Sequence, residues 1–465
     1  MRSFIFLLLV AAACLGCDPL ANPVSGRLSF STDTISFDTV FTGIGSATME
    51  LRALNPANEP LRIDRIWLGG GTTSPFRLNI NGDPVTEAGE TVIAQGDSIF
   101  IFVEVTVDPV GGDLPLAVTD SVNFLSGSYA GRVILEAWGQ DIRLVSGMIT
   151  GNAVWTDGKP YVVDGSLFID TLARLTLEPG TRVYMHHGAS VTVAGALQAN
   201  GTAERRVILA TDRLENDYTD VPGRWQGVRF LDCSGNNILN YTTVRNAEIA
   251  VSIEGSASAE PDLSMNGAML MHNTVASLAA NRARVFAVNS LFVHSGYSTV
   301  SLRQGGSYEF IHCTVSNRWE YSFRPEPALL IDPGNGSMPE VRLVNSVVSG
   351  SLGNELLIDA SAQVAAAGFR ADSSFVKVDT TTASWYSSVL FRHVMTRPDP
   401  RFISESEWDF RPDTLSPLLD RAGRTETVAW PFDIRNKPRP YDTGPDIGAF
   451  ERQRGEKRVE EKPAR

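Results

Sequence analysis

The chain is poor in cysteine. Four of its 465 residues are cysteines, and two of these, Cys14 and Cys17, fall at the extreme N-terminus. The other two, Cys233 and Cys313, are 80 residues apart. A dense disulfide scaffold is therefore excluded. Metal-binding spacings are missing too: there is no Cys-x-x-Cys or His-Glu-x-x-His, and the six histidines form no pattern of that kind. Without a Gly-x-Ser-x-Gly elbow or a phosphate loop, two common enzyme classes lose their support. Positive charge is in deficit, with 40 Lys and Arg against 53 Asp and Glu, a net charge of −13 and a pI near 5.0. Such a surface disfavours nucleic acid and anionic lipid, and it suits a polyanionic ligand only through a local basic groove. Residues 4–13 are apolar but too few to span a bilayer. Helical periodicity is absent from the middle of the chain.

What is there instead is a returning phrase. It reads Asn240-Tyr-Thr-Thr-Val244, Asn266-Gly-Ala-Met-Leu270, Asn289-Ser-Leu-Phe-Val293, His312-Cys-Thr-Val315 and Asn345-Ser-Val-Val348, with lead residues 26, 23, 23 and 33 apart. A period in the low twenties built from β-branched and apolar residues marks a solenoid, because so short a unit buries its apolar side only by stacking on copies of itself. The 33-residue step carries Pro325, Pro327, Pro333 and Pro339 and reads as one inserted surface loop.

A second cadence lies upstream. Apolar pairs at alternate positions occur at Leu167/Ile169, Leu175/Leu177, Val183/Met185, Val191/Val193, Leu197/Ala199 and Val207/Leu209, starting 8, 8, 8, 6 and 10 residues apart. Alternation is the strand period, and Pro179-Gly180, Gly188, Gly195 and Asn200-Gly201 punctuate it. Three such strands make one turn of about 24 residues, which agrees with the downstream period and predicts a three-faced parallel β-helix. At about 4.8 Å per rung, ten or eleven turns give a length of about 50 Å. Cys233 and Cys313 would then lie about 15 Å apart, beyond the reach of a disulfide, and both are expected to be small buried hydrophobes.

The stretches Tyr161-Val-Val, Leu175-Thr-Leu-Glu-Pro-Gly-Thr-Arg-Val183, Val193-Ala-Gly-Ala-Leu197 and Gly223-Arg-Trp-Gln-Gly-Val228 resemble the right-handed parallel β-helix repeat proteins of bacterial envelopes. Asp446-Ile-Gly-Ala-Phe-Glu451 resembles the closing motif of many of them, although Asn436 stands where a Gly is usual. The resemblance implies a pectate-lyase-like solenoid, but not a function, since that family spans lyases, hydrolases, adhesins and lipoproteins. Upstream, strand-like runs at 36–40, 47–54, 61–68, 76–80, 98–107, 121–124 and 132–138 are separated by Asn55-Pro56, Gly69-Gly70-Gly71, Asn81-Gly82 and Gly111-Gly112. Runs of this number and spacing resemble an immunoglobulin-like envelope module without its cysteine pair. The expected fold is all-β: a sandwich at 26–145, a right-handed parallel β-helix at 146–395, and a C-terminal cap at 396–452 covering the last turn. Residues 1–17 read as a signal peptide, 18–25 as a tether and 453–465 as a disordered charged tail.

The signal segment ends Cys14-Leu-Gly-Cys17, which resembles a bacterial lipobox with Cys17 lipidated, although Cys14 replaces the usual Leu. The expectation is a lipid-anchored envelope protein, on the outer membrane in preference to the inner, facing periplasm or surface. An ordinary signal peptide, or cleavage after Ala13, stays open.

Asn246, Asn273, Ser295, Asn317 and Gly350 follow the repeated phrase and read as one stacked corner, with Asn side chains satisfying the turns. Just before it, His272 and His294 should lie within about 5 Å on neighbouring turns. That spacing suits a metal or an acid/base pair, yet no third ligand joins them, and an exposed polar column is the plainer expectation. Trp319, Tyr321 and Phe323 lead into the proline-rich step and are candidate ligand contacts, as exposed rings suit sugars. Asp212, Glu215, Asp217 and Asp220 share a loop that could bind Ca²⁺; otherwise no cofactor is expected. No Arg-x-Pro-x-x-Arg or Asp-Asp pair marks a lyase or glycosidase site, so no catalytic residue is assigned. Seven Asp-Ser/Thr-apolar or Asp-Thr-Thr sites, beginning at Asp33, Asp38, Asp97, Asp120, Asp170, Asp379 and Asp413, resemble an O-glycosylation sequon or simply begin strands. The leading expectation is a non-catalytic anchored protein that presents its β-helix to a glycan or an envelope protein. A polysaccharide lyase or glycoside hydrolase on the same scaffold, and a purely structural or secretion-associated lipoprotein, are the alternatives.

Overall fold

The computed structural model describes residues 22–109, 111, 116–256 and 260–456. The signal segment, Cys17, residues 18–21 of the tether and residues 457–465 of the tail lie outside them. The chain divides into two compact units, one ending at Ile142 and including Arg213–Glu215, the other made of the remainder from Arg143.

The first unit is a sandwich of two five-stranded sheets. One orders Ser29–Phe30, Met49–Leu54, Ser98–Val105, Phe76–Ile80 and Asp83–Val85; the other orders Thr34–Phe41, Tyr129–Gln140, Leu116–Ser126, Arg65–Leu68 and Glu87–Ala88. Strand alternation builds the core: Ile99, Ile101, Val103 and Val105 are buried while Phe100 and Phe102 face out. The run expected at 61–68 breaks at Asp64, because Leu61–Ile63 pairs with Thr91–Ile93 while Arg65–Leu68 joins the second sheet. Thr34–Phe41 pairs in parallel with Tyr129–Gln140; the other pairs within the two sheets are antiparallel.

The second unit is the parallel β-helix. Its first face stacks Arg182–Met185, Val207–Thr211, Thr242–Arg245, Met269–Asn273, Leu291–Ser295, Thr314–Asn317 and Val347–Gly350. The second stacks Ser190–Val193, Gly227–Phe230, Ile249–Glu254, Ala276–Asn281, Val300–Arg303, Leu329–Asp332 and Leu356–Ile358. The third is a ten-stranded sheet from Asn152–Trp155 to Phe391–Arg392, one strand for each of ten turns. All six alternating pairs read upstream are buried inside it.

If the five phrases stacked end to end, Val244, Leu270, Val293, Val315 and Val348 would share one column, but the ladder corrects this. Leu270 pairs with Phe292, not Val293, and Phe292 pairs with Val315. The inward column therefore runs Val183, Leu209, Val244, Leu270, Phe292, Val315 and Val348. Val293 pairs with Met271 and Ser316 and faces outward, since a slip of one residue reverses the side of a strand. The backbone explains the slip. The left-handed corner between third and first faces falls on Tyr241, Gly267, Asn289, His312, Asn345 and Ser373, so Asn266 sits one place before it and Asn289 sits on it. The proline-rich step is also two loops rather than one: strand Leu329–Asp332 divides residues 318–328 from 333–339.

Cys313 is buried, and burial pushes its thiol up to about 12. Cys233 is exposed, against expectation, because it lies in the turn between Gly227–Phe230 and Asn237–Asn240. Several of the Asp-Ser/Thr sites have a conformational reason: Asp97, Asp120, Asp170 and Asp413 each accept the N–H of the residue that follows.

The C-terminal cap packs on the flank of the solenoid. Phe402, Phe410, Leu418, Ile434, Ile447 and Phe450 cover the outward Leu291, Val293, Val347 and Phe375 of the first face. Val378, Trp385 and Leu390, from the segment just before it, join the interior core near the last strands. The closing motif is a staple within the cap. Glu451 accepts the N–H groups of Tyr441 and Asp446, and Asp446 accepts those of Asp420 and Arg452. Burial raises these carboxyls to about 6 at Asp446 and about 7 at Glu451.

Candidate ligand-binding corner

The first and second faces meet at a corner where residues 212–226 and 318–328 both leave the solenoid after first-face strands. Asparagines brace this corner, but not as the single column expected: the register aligns Asn246, His272, His294, Asn317 and Gly350, and Asn273 with Ser295 lies one place further on. Asn273 Oδ1 accepts from Ala247 N, Asn317 Oδ1 accepts from Ser295 N, and Asn317 Nδ2 donates to the carbonyls of Ser295 and Tyr297. Asn246 donates to Thr219 and Val221. The left-handed residues are Asn246, His272 and His294, so on two turns a histidine takes the strained position.

Those two histidines meet. Nδ1 of His272 lies 2.8 Å from Nδ1 of His294, so one ring carries the shared proton and the other accepts it. Each is only 2% exposed. The expectation of an exposed column fails because a roof of rings covers them. Trp408 stacks on His294 at 4.1 Å and meets His272 edge-on at 4.8 Å. Trp319 and Tyr321 stand 5.1 and 5.8 Å from His294. Burial, then the neighbouring His294 and Arg245, holds His272 well below the usual histidine range. Burial lowers His294 to about 4, opposed by the Asp220 carboxylate. Its Nε2 is buried with no hydrogen-bond partner.

The roof is anchored from below. Arg324 and Glu355, both almost fully buried, form a two-pronged ion pair. Glu355 also accepts the N–H groups of Ala328 and Leu352, and Arg324 donates to Glu326 O. Burial raises the Glu355 carboxyl while Arg324 opposes the rise. This clamp ties Arg324 to Ala328 through Glu355 and so fixes the second half of the 318–328 loop, the part that follows the rings.

Beside the roof runs a groove of about 650 Å³ between this corner and the cap, with Arg318, Lys377 and Arg401 on its walls alongside Asp399 and Glu405. Arg318 reaches Glu405 across it at 3.8 Å. Trp319 follows Arg318 in sequence and Trp408 follows the Glu405–Glu407 turn, but none of the three rings is among the residues that line the groove.

No family model matches this chain, and no curated protein matches it. Among solved structures it is similar to a PapD-like (ASH) domain of human CEP192, at 14% identity over 27% of this chain and 92% of that one, with a TM-score of 0.18. A family 123 glycoside hydrolase from Clostridium perfringens matches at 6% identity over 25% of this chain and 26% of that one, with a TM-score of 0.18. The YadV chaperone matches at 16% identity over 24% of this chain and 51% of that one, with a TM-score of 0.17. The chain thus spans about a quarter of that hydrolase and half of that chaperone. Likeness this low carries no argument about function.

Of the candidate contacts, the structure brings together His272, His294, Trp319 and Tyr321. Phe323 stands apart, 85% exposed on the same loop. The acidic loop does not converge: Asp212 meets His186 at 2.6 Å and Glu215 pairs with Arg213. Among the described residues no three His, Cys, Asp or Glu side chains gather as a metal site. Trp225 is buried and donates to Arg245 O. Trp408, Arg324, Glu355 and the groove cations were not legible as site residues. Trp408 comes from the cap, Glu355 from a later turn, and nothing local in the sequence ties either to the histidines.

Proposed function

We propose that this chain is a non-catalytic, lipid-anchored protein of the bacterial cell envelope that binds a glycan or an envelope protein at the ring-lined corner of its β-helix. The observation that carries the reading is the convergence of Trp319, Tyr321 and Trp408 over the His272–His294 pair on a clamped loop. Half-exposed rings on a rigid base suit the apolar face of a sugar or a partner side chain. Tyr321 is 56% exposed and so offers its ring to a ligand. An immunoglobulin-like sandwich would serve as spacer and Cys17 as the lipid site, since stable attachment takes acyl chains rather than an acidic surface. Replacing Trp319 or Tyr321 by Ala is expected to abolish retention on envelope glycan while the melting temperature holds; undiminished retention of both variants rejects the corner. Cys17→Ala is expected to move the protein from the detergent phase to the aqueous phase, and unchanged partitioning rejects the anchor.

A second reading, a polysaccharide lyase or glycoside hydrolase, draws on the buried His294 near Asp220 and on its partner His272 near Arg245. Polysaccharide turnover that disappears in His294→Gln would replace binding by catalysis.

A further inference from the structure

The histidine pair has a chemistry that a sharp corner does not require. Asn246, Asn317 and Gly350 hold the same register position on other turns, and small or amide side chains serve a turn well. His272 and His294 take it on two successive turns and aim Nδ1 at Nδ1 across 2.8 Å. Among the described residues neither imidazole has another hydrogen-bond partner, and Nε2 of His294 is buried with none. Burial keeps both rings neutral at pH 7, so their ring lone pairs are free of added protons. The walls are aromatic and soft. Trp408 lies 4.1 and 4.8 Å from the two imidazoles, and Met271, the residue before His272, packs with Trp408, Met269 and Met395 against the apolar cluster under the cap. This donor set sorts ions. Calcium and magnesium need a shell of oxygens. Zinc takes four ligands, or three and a water, yet no three His, Cys, Asp or Glu side chains gather among the described residues, and each histidine is only 2% exposed. Two facing imidazoles in an apolar box suit a soft ion that two ligands satisfy.

We propose that His272 and His294 form a two-coordinate site for a soft monovalent metal ion of the copper(I) and silver(I) class, held between their Nδ1 atoms beneath Trp408. The ion takes one lone pair from each Nδ1. The hydrogen that bridges the rings moves to Nε2 of the ring that carries it, so no proton leaves and the site gains one positive charge. Metal–imidazole bonds of about 2 Å put the Nδ1 atoms about 4 Å apart, so each ring moves by about 0.6 Å from its hydrogen-bonded place. The Asp220 carboxylate favours the added charge at His294, Arg245 opposes it at His272, and the indole π system of Trp408 favours a cation beside it. This site does not depend on the glycan reading, and either can fail without the other.

The test titrates the full chain with silver(I) in nitrate buffer, with zinc(II) and calcium(II) as comparisons. Accessible thiols are alkylated first, because Cys233 is exposed and a thiolate would outcompete imidazole for a soft ion. One equivalent of silver is expected to quench tryptophan emission, and to raise the melting temperature because only the folded chain brings the two rings together. His272→Asn and His294→Asn should each weaken silver by more than about a hundredfold, beyond the about 10–100-fold cost of losing a supporting group. Asn stands in the same register position at 246 and 317, so both variants are expected to fold. Replacing the exposed His186 and His187 by Asn should change nothing. X-ray absorption of the silver-loaded parent chain needs no variant, and two nitrogen neighbours are expected. Silver affinity that survives both corner variants overturns the site, as does a metal shell without two nitrogens. Zinc held more tightly than silver overturns the two-coordinate soft ion, and absence of any silver binding overturns the proposal outright.

Discussion

Phe292 and Val293 are neighbours with opposite surroundings. Phe292 fills the interior column, whereas Val293 faces outward beneath the cap, and both are fully buried. Phe292→Ala should leave a cavity and lower the unfolding free energy of the solenoid by about 3–5 kcal/mol. Val293→Asp should instead release the cap, seen as faster hydrogen exchange and proteolysis in 402–450 while the turns stay protected. If both substitutions act alike on the turns, the register is wrong. The histidine pair makes a pH prediction. An ordinary histidine titrates near 6.5, but His294 is lowered to about 4 and His272 lies well below the usual range. As pH falls from about 6.5 towards 4 the unfolded chain takes up protons that the folded pair refuses, so stability is lost in that window. Asp446 and Glu451 act oppositely, being raised to about 6 and 7, so their contribution is full at low pH and fades as pH rises through those values. The comparison between chains is therefore the measurement. The melting temperature of a His272→Asn, His294→Asn double variant should fall less on acidification than that of the parent chain, and parallel curves would reject the pair as a proton-excluding site.

At the scale of elements, the 318–328 loop depends on a clamp beneath it. Glu355→Ala leaves Arg324 buried without its partner and should cost about 3–5 kcal/mol. Its first visible effect should be loosening of the ring loop, read as a red-shifted tryptophan emission and faster exchange in 318–328. An unchanged loop would show that the rings are held by the cap alone. The elements themselves were legible where neighbours in sequence decide them. Alternation at Val183/Met185 and Val191/Val193 reports burial of one strand side, and the low-twenties period reports stacking. Two things were not legible. The one-residue slip at Phe292 arises because Asn266 and Asn289 look alike while occupying different places at the corner. The two-loop form of the proline-rich step was hidden because Leu329–Asp332 is only four residues long.

At the scale of the molecule, the candidate site is a product of long-range assembly. His272 and His294 were visible as adjacent residues on successive turns. Their burial was not, because Trp408 arrives from the cap, whose apolar residues cover outward Leu291, Val293 and Val347. Those outward apolar positions were the available signal: a strand buried on both sides reads as a continuous apolar run, as Leu291-Phe-Val293 does. The proposed ligand site is one corner, formed by the 318–328 loop and the cap residues before Trp408. Hydrogen exchange followed by mass spectrometry, with and without envelope glycan, tests it most directly. The account predicts added protection in 318–328 and 397–408, with the rest of the solenoid unchanged. Protection confined instead to the open second face around Ser252, Ala279 and Ser301, or to the sandwich, would contradict it.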